Sequence, residues 1–126
     1  GKYSWQKLPF VYEKMRIRDG PRCEAFLGLF SGEGCRMEAM TCEAHDQFAA
    51  GSQFITHTTG RMLGQLGVKT TPINTKGFES LLALVDNTCK DSMDLFVALY
   101  QHNPAAHQQL ERLEQALKAV KASLVR

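Results

Sequence analysis

A row of polar side chains marks one side of the stretch at residues 43–66. Five residues follow one another there at spacings of four, three, four and four, and they are Asp46, Ala50, Gln53, His57 and Arg61. At about 100° per residue, these spacings place all of them on one face of a helix. A carboxylate, an amide, an imidazole and a guanidinium could hold a charged small molecule. An amphipathic helix also turns a polar face to solvent, and this alternative explains the row without a ligand.

Small residues accompany this row and favour the binding interpretation. They are Ala49, Ala50, Gly51, Ser52, Gly60 and Gly64. Each glycine costs about 1 kcal/mol relative to alanine inside a helix, and a merely solvated face gains nothing from that cost. The small residues therefore indicate close approach of a ligand or of another backbone. The opposite side of the helix is predicted to be an ordinary apolar stripe of Phe48, Ile55, Thr59, Met62 and Leu66.

Composition narrows the classes of partner. The chain has 126 residues, 44% of them hydrophobic, and a net charge of +2 spread along its length. This is enough apolar material for a core. The sequence has no basic stripe that could bind nucleic acid and no run of about 18 apolar residues that could cross a bilayer. We expect no nucleic-acid partner, no membrane association and no secretory signal.

The cysteines and histidines do not predict a metal site. The cysteines at 23, 35, 42 and 89 form no C-x-x-C pair, which is typical of reduced thiols inside the cell. Cys42 and His45 do form a C-x-x-H, with His57 further along. His45 and His57 would lie about 18 Å apart along one helix, too far to share an ion.

The first forty residues predict a βαβ unit. Alternating apolar and polar residues indicate strands at 8–17 and 35–41, and residues 22–31 have helical spacing between them. The strands would be parallel, joined by a right-handed crossover. Such a unit is too small to stand alone and reads as the last piece of a larger sheet. Gly32 and Gly34 do not make a G-x-G-x-x-G turn, because Met37 stands where a third glycine is needed and no strand precedes them.

Helices are predicted for the rest of the chain. Gly67 ends the first helix, Thr75 begins the next, and Asp91 or Ser92 begins the one after. Asn103 followed by Pro104 is the clearest helix start. In that last helix an apolar seam has the coiled-coil period, and its members are Leu110, Leu113, Leu117, Val120 and Leu124. The seam could pack on the domain's own core or between subunits.

Three segments carry a resemblance to a known family. They are E-A-H-D-Q-F-A-A-G-S-Q-F-I-T-H-T-T-G-R-M-L from Glu43, G-V-K-T-T-P-I-N-T-K-G-F-E-S-L-L from Gly67, and W-Q-K-L-P-F-V-Y-E-K-M-R-I-R from Trp5. Together they closely resemble the C-terminal part of plant arogenate dehydrogenases, within the prephenate/arogenate dehydrogenase family. In that family a Rossmann half holds NADP or NAD and the catalytic histidine, and a helical half forms the dimer and closes over the substrate. The reaction is oxidative decarboxylation of arogenate to tyrosine, or of prephenate to 4-hydroxyphenylpyruvate.

The resemblance implies a mainly α fold. A helical dimerisation and substrate-closing domain at 43–126 would follow a short βαβ remnant of a Rossmann-type sheet at 1–42. The chain would form a homodimer in the plastid. NADP would belong to the full-length enzyme, and this chain alone would bind no cofactor and be inactive, because the nucleotide-binding half and the family's catalytic histidine would precede Gly1. The alternative is a stand-alone, non-catalytic helical dimer module derived from that enzyme.

The resemblance also implies a role for the polar row. The expected substrate-binding residues are Asp46, Gln53, His57 and Arg61, together with Lys76 from the following loop. His57, Arg61 and Lys76 are available for the carboxylates of the substrate, and Asp46 is the one acid among them. Arogenate carries an ammonium where prephenate carries a keto oxygen, so we expect Asp46 to favour arogenate. The alternative for Asp46 is a favourable charge in the first turn of its helix.

Overall fold

The computed structural model describes residues 3–125. The chain divides into two compact units, Gly1–His45 and Asp46–Arg126, called unit 1 and unit 2 here. Unit 1 contains strand β1 (Pro9–Tyr12), helix α1 (Gly20–Gly32) and strand β2 (Arg36–Ala39). The strands are parallel, with Phe10 opposite Met37. The predicted βαβ unit is therefore confirmed.

Unit 1 is held together by aromatic rings and a small buried core. The side chain of Phe30 on α1 stacks on Phe10 of β1, with ring centroids 4.0 Å apart. Phe30 also meets the ring edges of Trp5 and Phe26. Among the described residues of this unit, the buried hydrophobic side chains are those of Leu27 and Cys35. The Phe30 ring therefore packs α1 against β1.

Both strands are shorter than predicted. The extension of β1 to residue 17 is wrong, because the chain leaves the extended conformation and Arg16 has a φ of 51°. Beyond the end of β1, the Glu13 carboxylate accepts a hydrogen bond from the Cys42 backbone N–H at 2.8 Å. Residues 13–17 therefore form a connection that caps a helix and add no further pairs to the sheet.

The helical stretch predicted at 43–66 contains an unpredicted π turn. It consists of α2 (Cys42–Ala49), a π segment (Ala50–Phe54) and α3 (Ile55–Leu66). Ser52 lies in the π segment, and its hydroxyl donates to the Phe48 carbonyl at 2.6 Å. A π turn holds an extra residue, so it shifts every later side chain around the helix axis. Reading the whole stretch at 100° per residue is therefore wrong across residues 50–54.

The phase shift changes which residues form the core. Phe54 belonged to neither predicted face, yet it is 2% exposed and stacks on Phe96 with ring centroids 5.8 Å apart. Phe54 also contacts Tyr100. By contrast, Phe48, Met62 and Leu66 of the predicted apolar stripe are exposed in this chain. The predicted apolar stripe is therefore only partly buried within this chain.

The remaining helices begin where the sequence predicted. They are α4 (Lys76–Cys89), α5 (Met93–Gln101) and α6 (Pro104–Leu124). The side chains of Thr75, Ser92 and Asn103 each accept a hydrogen bond from a backbone N–H in the first turn of α4, α5 and α6 respectively. Gly67 ends α3 with a left-handed φ of 73°. Within residues 3–125, no helix has the length and apolar character needed to cross a membrane.

Candidate functional site

His57 and Arg61 meet at the connection between α4 and α5, residues 90–92, called the α4–α5 corner. Arg61 Nη2 donates to the backbone oxygens of Asp91 at 2.8 Å and Ser92 at 3.0 Å. The Arg61 guanidinium carbon also lies 5.1 Å from the centre of the Phe96 ring. One helical turn earlier, His57 Nε2 lies 3.7 Å from a carboxylate oxygen of Asp91. The structure therefore brings together these two members of the predicted polar row.

The same turn of α3 holds buried polar atoms without hydrogen-bond partners. Among the described residues, these atoms are His57 Nδ1, Thr58 Oγ1 and Arg61 Nε. The His57 side chain as a whole is 18% exposed. Native proteins leave few buried polar groups unpaired, and a catalytic or binding role is one explanation of such exceptions. This turn is accordingly the strongest candidate for a site in unit 2.

Asp46 is held near the start of α6. The side-chain amide of Asn103 donates from Nδ2 to the Asp46 backbone oxygen at 2.7 Å, and Asn103 Oδ1 accepts from the Ala105 backbone N–H. Asp46 is the fifth residue of α2, and the acid in the first turn is Glu43. The effect of a helix end fades beyond the first turn, so this placement weighs against the helix-end explanation of Asp46.

Gln53 and Lys76 are both exposed, and Lys76 lies at the opposite end of α4 from the α4–α5 corner. Gln53 is exposed within the π segment, and Lys76 is exposed at the first position of α4. Thr88, near the other end of α4, is twelve residues from Lys76, which at 1.5 Å per residue is about 18 Å along the helix. Within one chain, Lys76 therefore does not join His57 and Arg61 around a single small group.

A groove between α3 and α6 borders the candidate site. Its volume is about 390 Å³, and its lining is mostly apolar: Thr58, Thr59, Met62, Leu110, Leu113, Glu114 and Leu117. The sequence predicts apolar residues on both walls of this groove: the stripe of the first long helix and the seam of the last helix. It does not predict that the two face each other. The π segment was missed as well, although the adjacent Gly51 and Ser52 are a typical signal for a helix irregularity.

The turn at Gly34 does not fit the pyrophosphate of a dinucleotide. Gly34 follows α1, and its N–H donates to the Ser31 backbone oxygen at 3.0 Å. The Gly34 carbonyl accepts from the Lys7 N–H. A phosphate-binding turn needs free N–H groups between a strand and the helix that follows it. No step of a reaction is therefore assigned to NADP at these residues.

Comparison with known proteins identifies the relatives. The chain is 56% identical to arogenate dehydrogenase 2, chloroplastic, of Arabidopsis thaliana over 98% of its own length and 36% of that protein. It is 52% identical to arogenate dehydrogenase 1, chloroplastic, of the same plant, over 98% of its length and 20% of that protein. The chain thus spans about a third and a fifth of these curated relatives, and the predicted resemblance is confirmed. Residues 62–126 match the family model described as the TYRAAT1-like C-terminal domain, so the chain belongs to that family.

Proposed function

We propose that this chain is the substrate-binding and dimer-forming part of a plastid arogenate dehydrogenase. In that enzyme arogenate is oxidatively decarboxylated to tyrosine. NADP is held by sequence outside residues 1–126. The observation that carries the proposal is the 56% identity to a chloroplastic arogenate dehydrogenase over 98% of the chain.

Asp46 is the proposed determinant of substrate choice. Its carboxylate would pair with the ammonium of arogenate and repel the pyruvyl carboxylate of prephenate. A hydrogen bond to a charged group contributes about 1.5–3 kcal/mol, which corresponds to roughly ten- to a hundredfold in selectivity. The hydrogen bond from Asn103 to the Asp46 carbonyl supports this role, because it fixes the backbone that carries the carboxylate.

His57 is proposed to contact the substrate at the α4–α5 corner, and Gln53 and Lys76 at other points. An imidazole and an ammonium can each donate to a carboxylate, and the amide of Gln53 can donate or accept. The unpaired Nδ1 of His57 supports this assignment. Lys76 lies away from the corner along α4, so within one chain it would meet a different part of the ligand. Arg61 was predicted as a fifth contact, but its Nη2 already donates to two backbone carbonyls.

A second copy of the chain is the proposed partner. Most of the α6 seam is exposed: Leu110 is 40% exposed, and Leu117, Val120 and Leu124 are 54%, 55% and 77% exposed. Met62, across the groove on α3, is also exposed. An exposed apolar row of this length on a long helix is typical of a subunit interface. The dimer proposal rests on this surface and on the family resemblance.

A segment exchange tests the proposed function. The part of Arabidopsis arogenate dehydrogenase 2 that matches this chain is replaced by residues 1–126, and NADP reduction is followed with arogenate as substrate. We expect activity within about tenfold of the parent. The matched control is the same chimera carrying His57→Ala, which should be folded but strongly impaired. A folded, dimeric chimera without activity would contradict the proposal and favour the stand-alone helical module.

A further inference from the structure

Arg61 connects α3 to the α4–α5 corner through main-chain acceptors. The oxygens it reaches belong to Asp91 and Ser92, thirty and thirty-one residues further along the chain. Ser92 is also the N-cap of α5, where its side chain accepts from the Leu95 N–H. One guanidinium nitrogen therefore fixes the backbone where α5 begins. The ring of Phe96, on the first turns of α5, lies under the same guanidinium.

Asp91 is contacted twice from α3. Arg61 holds its backbone oxygen, and His57 lies 3.7 Å from its carboxylate. His57 and Arg61 are four residues apart, so they occupy neighbouring positions on one face of α3. The Asp91 carboxylate is bonded to a backbone that Arg61 fixes. The direction in which it faces His57 consequently depends on Arg61.

We propose that Arg61 is a positioning residue that acts through Asp91 to orient His57, instead of binding the substrate itself. The inference rests on the proposed function for the role of His57, but the contacts themselves require no substrate. Arg61 Nη2 already donates to the corner, and Arg61 Nε, which has no hydrogen-bond partner, is buried. Phe96 takes up part of the guanidinium face as well.

The first test observes the contact itself in the 126-residue chain. Nuclear Overhauser cross-peaks between the His57 ring and the Asp91 β-protons are measured in wild type, Arg61→Met and Arg61→Lys. We expect the cross-peaks to lose at least three quarters of their intensity in Arg61→Met. In Arg61→Lys they should retain about half, because an ammonium can still donate to the two carbonyls. The matched control is Arg112→Met, on the exposed side of α6, with no expected change. Unchanged cross-peaks in a folded Arg61→Met variant would overturn the proposal.

The second test measures the consequence in the full-length chimera described above. If Arg61 acts through Asp91, Arg61→Met and Asp91→Asn should each raise KM for arogenate by a similar factor, and the double variant should exceed the larger single effect by less than twofold. If the two increases in KM multiply in the double variant, Arg61 contacts the substrate directly and the proposal is overturned. Should Arg61→Met not fold, Arg61→Lys replaces it in the same cycle. A wild-type chimera inactive on arogenate would refute the proposed function, while the cross-peak test would still decide the role of Arg61.

Discussion

The backbone of Gly60 lies directly against the side chain of Thr88. A Cβ atom at residue 60 would be 2.0 Å from Thr88 Oγ1, and one at Gly64 would be 2.9 Å from Cys89 Sγ. Helices α3 and α4 are therefore closer together than side chains at these positions would allow. The prediction that small residues permit a close approach is confirmed for these two glycines. The backbone that approaches is that of α4 in the same chain.

Gly60→Ala should destabilise unit 2. The new methyl group has no space beside Thr88, which is buried and donates its hydroxyl to the Leu84 carbonyl. Overpacking of this kind costs about 1–3 kcal/mol. Urea unfolding followed by circular dichroism measures the loss. Gly51→Ala is the matched control, since nothing lies within 4 Å of its Cβ position. Gly60→Ala with Thr88→Ala should recover part of the loss, because it removes Oγ1 and Cγ2 but keeps the Thr88 Cβ position 3.0 Å away.

Asp46→Asn should reduce the preference for arogenate over prephenate by about tenfold or more, because it removes the charge proposed to pair with the ammonium. The measurement is kcat/KM for both substrates in the full-length chimera. Glu43→Gln is the control, since Glu43 is the acid in the first turn of the same helix. An unchanged preference together with slightly lower stability would contradict the selective role and restore the helix-end explanation.

The isolated chain should sediment as a dimer at micromolar concentration. Leu117→Glu should weaken the dimer at least tenfold, because it places a charge in the exposed seam of α6. Gln115→Glu adds the same charge at another exposed position of α6 and should leave the dimer intact. A clean monomer of 14.1 kDa for the wild type would exclude the proposed interface.

Stability should depend on the protonation of Glu13. Hydrogen bonds from the Cys42 side chain and the Cys42 backbone lower the pKa of the Glu13 carboxyl from its usual value near 4.5. A lowered pKa in the folded state contributes stability above the unfolded pKa, and this contribution is lost as pH falls through the folded value. Glu13→Gln should therefore lower the Tm relative to wild type at pH 7, and the difference should shrink as the pH falls below 4.5 and through the folded-state pKa. A pH-independent difference for Glu13→Gln would rule out the linkage.

The isolated chain should not bind NADP in the micromolar range. The turn at Gly34 has its N–H and carbonyl paired within unit 1, so it does not offer the donors that a pyrophosphate requires. Titration calorimetry and the fluorescence of NADPH measure binding. The full-length Arabidopsis enzyme under the same conditions is the positive control. A dissociation constant below about 10 μM for the chain would refute this expectation.

Local chemistry made much of this fold predictable. Thr75, Ser92 and Asn103 cap helices through hydrogen bonds to residues two or three positions away, so the signal is contained in a few letters of sequence. The parallel strands were predictable from alternation, but their ends were not, because Glu13 bonds to a residue 29 positions away. Such a partner cannot be read from the residues around it.

The candidate site was predictable only in part, because some of its contacts are local in sequence and others are distant. The neighbourhood of His57 and Arg61 followed from helical spacing. Their shared target, Asp91, is some thirty residues distant and depends on how α4 ends. The burial of Phe54 depends on a single extra residue in a π turn, which shifts the helix phase. A reading at constant pitch could not anticipate it.

Both polar atoms of the Asn103 side chain are engaged in hydrogen bonds. Its amide oxygen begins α6, the helix that carries the exposed seam, and its amide nitrogen holds the carbonyl of Asp46. One planar amide group therefore contacts both α6, the proposed dimer helix, and Asp46, the proposed determinant of substrate choice. Exchanging that amide for a carboxylate, as in Asn103→Asp, keeps the acceptor that starts the helix and deletes the donor to Asp46. We therefore expect Asn103→Asp to leave the dimer intact and to lower the preference for arogenate over prephenate.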